Sequence, residues 1–222
     1  MNTLKQPKSI VKLAGITLLF NLLIPTLSYV FIQSKLFVQG DNLLTATNVI
    51  YSKGIFNAGI IMELMLVIGL VLLGYSLYLL LRHVNEKLAM FAFVLKCIEA
   101  LLVGTVTLIS FLAYQMISTS EDFQTLAGFL LNQHDILNAI PMFFLGIEMV
   151  IFSMLLYKSR LIPRWISVFG IISFASIFIY SLLSITTEGM NLMSLTLPSF
   201  LFELICGSWL LIKGIKTNAI IK

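Results

Sequence analysis

The chain has 222 residues, of which 59% are hydrophobic and 11% charged, and its mean hydropathy is +1.02. An ordinary soluble domain carries about 25% charged residues, so there is too little polar surface here for a water-soluble globule and far too much apolar content for a disordered chain. The excess of 14 Lys+Arg over 10 Asp+Glu is spread in short clusters rather than one stripe, which excludes a nucleic-acid partner.

A helix needs about 20 apolar residues to cross a hydrocarbon core. Six stretches qualify, at about 11–32, 55–81, 88–117, 137–157, 164–186 and 195–215. They lack the alternation of barrel strands, so the expected fold is all-α, a polytopic bundle of six transmembrane helices forming one domain over 1–222. In the first stretch, Lys5, Lys8 and Lys12 precede the apolar run without a small-x-small cleavage site after it, which reads as an uncleaved anchor. Pro25 inside it predicts a kink. In 40–53, Asp41 can cap a helix whose apolar face carries Leu43, Leu44, Thr47 and Ile50. The second and third spans run long and are expected to tilt or project. In 118–133, Ser118, Thr119 and Ser120 offer caps and Glu121 and Asp122 suit a first turn. Phe123, Leu126, Ala127 and Leu130 then share a face, so a short interfacial helix is expected. Asp135 is placed to cap the fourth span, and Pro163 and Pro198 sit where a first turn tolerates proline.

Charge sets the expected orientation. The N-terminal segment, the 82–87 and 158–164 loops and the C-terminal segment collect 11 of the 14 basic residues, while Lys35 and Lys53 lie on the other side and Lys96 lies within a span. The positive-inside rule then puts both termini in the cytoplasm of a cell membrane. The basic rim would attract anionic lipids at the cytoplasmic face.

Five ionisable residues fall inside spans: Glu63, Lys96, Glu99, Glu148 and Glu203. A charge at the bilayer centre costs at least about 2.5–3.5 kcal/mol, so such groups face the bundle interior and each other. Counted at about 1.5 Å per residue from the ends of the apolar runs, all five fall in one layer near the midplane. Lys96 and Glu99 share a helix face, and Ala100 with Gly104 offers a small-residue approach on an adjoining one. Asn21 and Asn57 are polar neighbours for this buried cluster, which is either a set of clips between helices or a site for a proton, an ion or a small polar ligand. Asp41, His134 and Asp135 form a second candidate, an outer-surface polar site with His134 and Asp135 as an acid/base pair.

Other chemistry finds no support. The sequence lacks H-E-x-x-H, G-x-S-x-G and P-loop motifs. His83 and His134 lie at opposite membrane edges and cannot hold a haem between them. Cys97 and Cys206 have no partners at zinc-ligand spacing and read as packed thiols. No metal, cofactor or catalytic constellation is therefore expected.

Several stretches together resemble one family. They are Gly40-Asp41 followed by Thr45 to Ile50, Leu77 to Asn85, Lys96-Cys97-Ile98-Glu99-Ala100, Tyr157 to Arg164, and Glu203-Leu204 through Trp209 to Gly214. In order and spacing they are similar to the bacterial membrane family filed as domain of unknown function 4386, with Lys96 standing where Arg is the more usual residue. The resemblance implies a multi-span bacterial membrane protein and carries no activity with it. Three function classes follow: a non-catalytic scaffold, sensor or stress-related factor; a transporter or channel for a proton, cation or small polar solute; and a lipid-modifying enzyme at the outer leaflet. The first is the reading of choice, because the chain is small and lacks a catalytic set, and because it has no internal repeat of the kind many transporters use.

Overall fold

The computed structural model describes residues 8–119, 123–187 and 193–215. Lys5, Ser120, Glu121, Asp122, Glu188, Lys216 and Lys222, and the side chains of Ser118 and Thr119, lie outside the described residues. Among those described, the chain is helical without strands.

The first span is α1 (Lys8–Ser28), a π-helical turn (Tyr29–Gln33) and the short α2 (Ser34–Leu36). Pro25 stays inside α1, and the slip in hydrogen-bond register begins four residues beyond it. There follow α3 (Asn42–Tyr51), α4 (Lys53–Leu81), α5 (Glu86–Thr119), α6 (Gln124–Asn132), α7 (His134–Ser159), α8 (Arg164–Thr186) and α9 (Leu197–Ile212). Six helical segments are long and apolar enough to cross a membrane, as the composition predicts. Pro163 is the residue before α8 and Pro198 lies in the first turn of α9, as expected. The start of α7 differs: Gln133 precedes it without a side-chain cap, and Asp135 lies within the first turn instead.

Each span packs on the next, α1 on α4, α4 on α5, α5 on α7, α7 on α8 and α8 on α9, and α9 returns to α1. The spans therefore close into a ring of six around a shared interior. The short connections make neighbours antiparallel. Lys12, Arg82, Lys87, Lys158, Arg160, Arg164 and Lys213 gather at one end of the ring, the basic end. α3 and α6 pack on each other at the opposite end, the cap end.

The cap helices form where the sequence places them. Asp41 caps α3, its Oδ1 accepting from the Leu44 N–H at 2.9 Å. The buried face of α3 is Thr45, Ala46 and Val49, while Leu43 and Leu44 are exposed. On α6 the buried residues are Ala127, Gly128, Leu131 and Asn132, while Phe123 and Leu126 are exposed. The reason is the solvent. Lipid is as apolar as leucine, so large apolar side chains gain nothing by turning inward, and small residues that allow close approach take the interface. At Gly128 an added Cβ would collide with the Asn42 carbonyl, so α3 and α6 meet backbone to backbone there. Asn132 then closes the cap: its Nδ2 donates to the Val38 carbonyl at 3.1 Å and to Asn42 Oδ1 at 2.9 Å, and its Oδ1 accepts from Thr45 Oγ1 at 3.0 Å.

Candidate functional site

The ring holds two polar centres. Lys96, on α5, is completely buried. Its Nζ donates to Glu99 Oε2 at 2.8 Å, one turn along the same helix, and lies 2.7 Å from Glu148 Oε1 on α7. Glu148 is fully buried as well, and Glu99 is 4% exposed, so the ion pairs are shielded from any solvent. Room for the lysine stem comes from Gly74 of α4, where an added Cβ would meet Lys96 Cγ at 2.8 Å. Glu203, half-buried on α9, interacts electrostatically with Lys96, Glu99 and Glu148. Two carboxyl groups from two helices thus hold one ammonium directly, and Glu203 on a third helix acts on it at longer range. Gly104, expected to admit a helix, meets Val67 only at an ordinary 3.7 Å. The close approach is at Gly74 instead.

Glu63 is not part of this group. Lys96 is level with Gly74 of α4, 11 residues from Glu63, or about 16 Å along the axis. Depths counted inward from opposite ends of two antiparallel spans coincide only if each span is one bilayer long. α4 has 29 residues, about 43 Å, so points equally deep from its two ends do not coincide.

Glu63 meets His134 instead, Oε1 to Nε2 at 2.9 Å. His134, expected at the surface, is 6% exposed at the start of α7. Asn138 one turn later reaches back to it, donating from Nδ2 to the His134 carbonyl at 3.0 Å and lying 3.2 Å from Nδ1. The Phe37 ring stands 6.1 Å away, centroid to centroid. Asp135 approaches more loosely, 3.7 Å from Nδ1, and is largely exposed. Asp41 is occupied as the cap of α3. Of the three residues read as an outer polar site, then, His134 and Asp135 are neighbours and the strong partner of the histidine is Glu63. A sequence signal did exist for Asn138, which stands at the i+4 position from His134 on one helix face.

Beside this pair runs a narrow cleft lined by Ser28, Phe37, Phe56, Glu63, Ser110 and His134, with room for roughly one water molecule. Glu63 Oε2 and the buried Ser28 Oγ have no hydrogen-bond partner. Both amide atoms of Asn21 also lack a partner, and this side chain lies against Gly69 of α4, between the levels of Glu63 and Gly74. Among the described residues, no three His, Cys, Asp or Glu side chains converge as a metal site would require.

The family described as "Domain of unknown function (DUF4386)" matches residues 13–214. No curated protein and no solved structure matches the chain.

Proposed function

The chain belongs to the DUF4386 family, and from that footing we propose that it is a non-catalytic membrane scaffold or sensor. The charged layer at Lys96 acts as a permanent clip between its helices. The observation that carries this reading is the complete burial of Lys96 between Glu99 and Glu148. A relay must exchange protons or solute with water, whereas this ammonium is already engaged by carboxylates within 2.8 Å on two helices. Breaking a buried pair leaves an uncompensated charge and costs about 3–5 kcal/mol, so the same residues fix which helices meet and at what level. The protein sits in the cytoplasmic membrane with both termini inside and its basic end against anionic headgroups. α3 and α6 cover the outer end, and the whole chain behaves as one domain.

A second reading, proton transport, has one observation in its favour. Asn21 lies with both amide atoms unpartnered between the two polar centres, five residues of α4 from the level of Lys96 and six from Glu63. One experiment separates the readings. In proteoliposomes with an imposed pH gradient, a clip gives no protein-dependent proton flux, and Glu148→Gln and Glu203→Gln lower the melting temperature without changing that leak. Protein-dependent flux that either substitution abolishes would establish transport and overturn the proposal.

A further inference from the structure

We propose that the cleft beside Glu63 and His134 is a binding site for a small dehydrated monovalent cation. The inference does not depend on the role assigned to Lys96. Three observations carry it. First, the cleft presents oxygens with nothing to bond: Glu63 Oε2 and Ser28 Oγ are both buried and unpartnered, and Ser110 lines the same space. A carboxylate oxygen and a hydroxyl oxygen are hard ligands, and leaving them empty in a dry protein costs about 1–3 kcal/mol each. Second, the charge is unbalanced in the right direction. Two carboxyl groups, Glu63 in the cleft and the more exposed Asp135 outside it, flank the one imidazole of His134. Third, the space has room for roughly one water molecule, which admits a bare cation and excludes an organic one. The Phe37 and Phe56 rings form walls of the kind that attract a cation to an aromatic face.

The same features choose the charge of the ion. A divalent cation takes six or more oxygens, commonly from several carboxylates, whereas among the described residues Glu63 is the only carboxylate lining this cleft. The irregular backbone fits as well, since Ser28 leads into the π-helical turn Tyr29–Gln33, and local breaks in spanning helices are where ion sites form.

The test is thermal unfolding of the full chain in nanodiscs, with NaCl, KCl or NH4Cl replacing choline chloride at constant ionic strength. Binding to the folded state alone raises the melting temperature with ion concentration. The expected result is a saturable rise with at least one of the three small cations relative to choline. Ser28→Ala should weaken the apparent affinity about tenfold, the value of a hydrogen bond to a charged group, read as a tenfold higher ion concentration at half-maximal shift. Glu63→Gln should abolish the rise, while Ser153→Ala, against Gly170 and not among the residues lining the cleft, should leave it unchanged. If Glu63→Gln does not fold, Ser28→Ala still decides. An identical response to small cations and choline means that the cleft holds water only and overturns the proposal. So does a Ser28→Ala protein with wild-type cation affinity.

Discussion

The Lys96 and His134 centres draw on the same chemistry, a base held by carboxylates on neighbouring helices, yet they differ in what lies beside them. Around Lys96 the neighbours are filled positions: Gly74 yields to the lysine stem, and Phe152, Phe174 and Phe202 are completely or almost completely buried in the same half of the ring. Around His134 there is a cleft, an exposed second carboxylate and a cap made of two short helices. The difference teaches that burial alone does not define a candidate site. The centre with the most expensive charges is the one with least freedom to respond. Both centres hold a buried carboxylate oxygen without a hydrogen-bond partner, Glu148 Oε2 at one and Glu63 Oε2 at the other, and at the second a cleft lies beside it.

The sharpest way to break this contrast is at Lys96. Lys96→Met leaves Glu99 and Glu148 buried without their cation and is expected to cost about 3–5 kcal/mol. The triple replacement Lys96→Met, Glu99→Leu, Glu148→Leu removes every charge of the pair network and should recover most of that loss. Thermal and denaturant unfolding in one detergent reads both. A triple variant as unstable as the single one would show that the cluster does more than balance itself. The cap is addressed next, by Gly128→Ala. Its Cβ would strike the Asn42 carbonyl, and the forced separation of α3 from α6 is expected to cost about 1–3 kcal/mol. Hydrogen exchange should rise in α3 and α6 and stay unchanged around Lys96. Spread of the effect to α5 would mean that the two centres are one cooperative unit. A milder cut at the same cap is Asn132→Leu, which removes the bonds to Val38 and Asn42 and the acceptor for Thr45. About 1–2 kcal/mol is expected, with the His134 ring shifts in NMR moving more than any signal near Lys96.

The smallest effect belongs to the basic end. His83 stands in the loop between α4 and α5, where burial lowers its affinity for protons against a weaker opposing bond to the Leu80 backbone. Its folded form therefore favours the neutral ring. Stability from this group is present above the unfolded value of 6.5 and falls as pH drops through it, because the unfolded chain takes up the proton first. His83→Gln should flatten a shallow loss of melting temperature below about pH 6.5, leaving the response at the cap end unchanged.

The spans were legible because hydropathy over 20 residues depends little on packing. Even the approximate run 164–186 matches α8 (Arg164–Thr186). The interior was legible in part: Lys96 and Glu99 share one helix face, and the expected layer also holds Glu148 of α7 against Lys96. Partners on different helices depend on where each helix begins and how it is staggered, and the end of an apolar run does not give that. Glu63 shows the consequence, because the few residues by which α4 exceeds the bilayer move it out of the Lys96 layer. The sequence named the cap helices without deciding their contact residues: Leu43, Leu44 and Leu126 stay exposed, and the interface goes to Thr45, Ala46, Ala127 and Gly128, small residues that permit close approach. His134 read as a surface residue because it stands at the edge of an apolar run. The segment that buries it, around Phe37, is nearly 100 residues away in sequence.

The direct measurement is hydroxyl-radical footprinting of the protein in nanodiscs, with radicals generated in situ from water. Met149 and Cys206 are 2% and 1% exposed, adjacent in sequence or electrostatically to Glu148 and Glu203, and carry the most readily oxidised side chains in the chain. If the Lys96 centre is sealed and the His134 cleft communicates with solvent, Met149 and Cys206 stay unmodified while His134 and Phe56 are oxidised. Oxidation of Met149 and Cys206 at rates comparable to His134 would place water at the lysine and contradict a sealed clip.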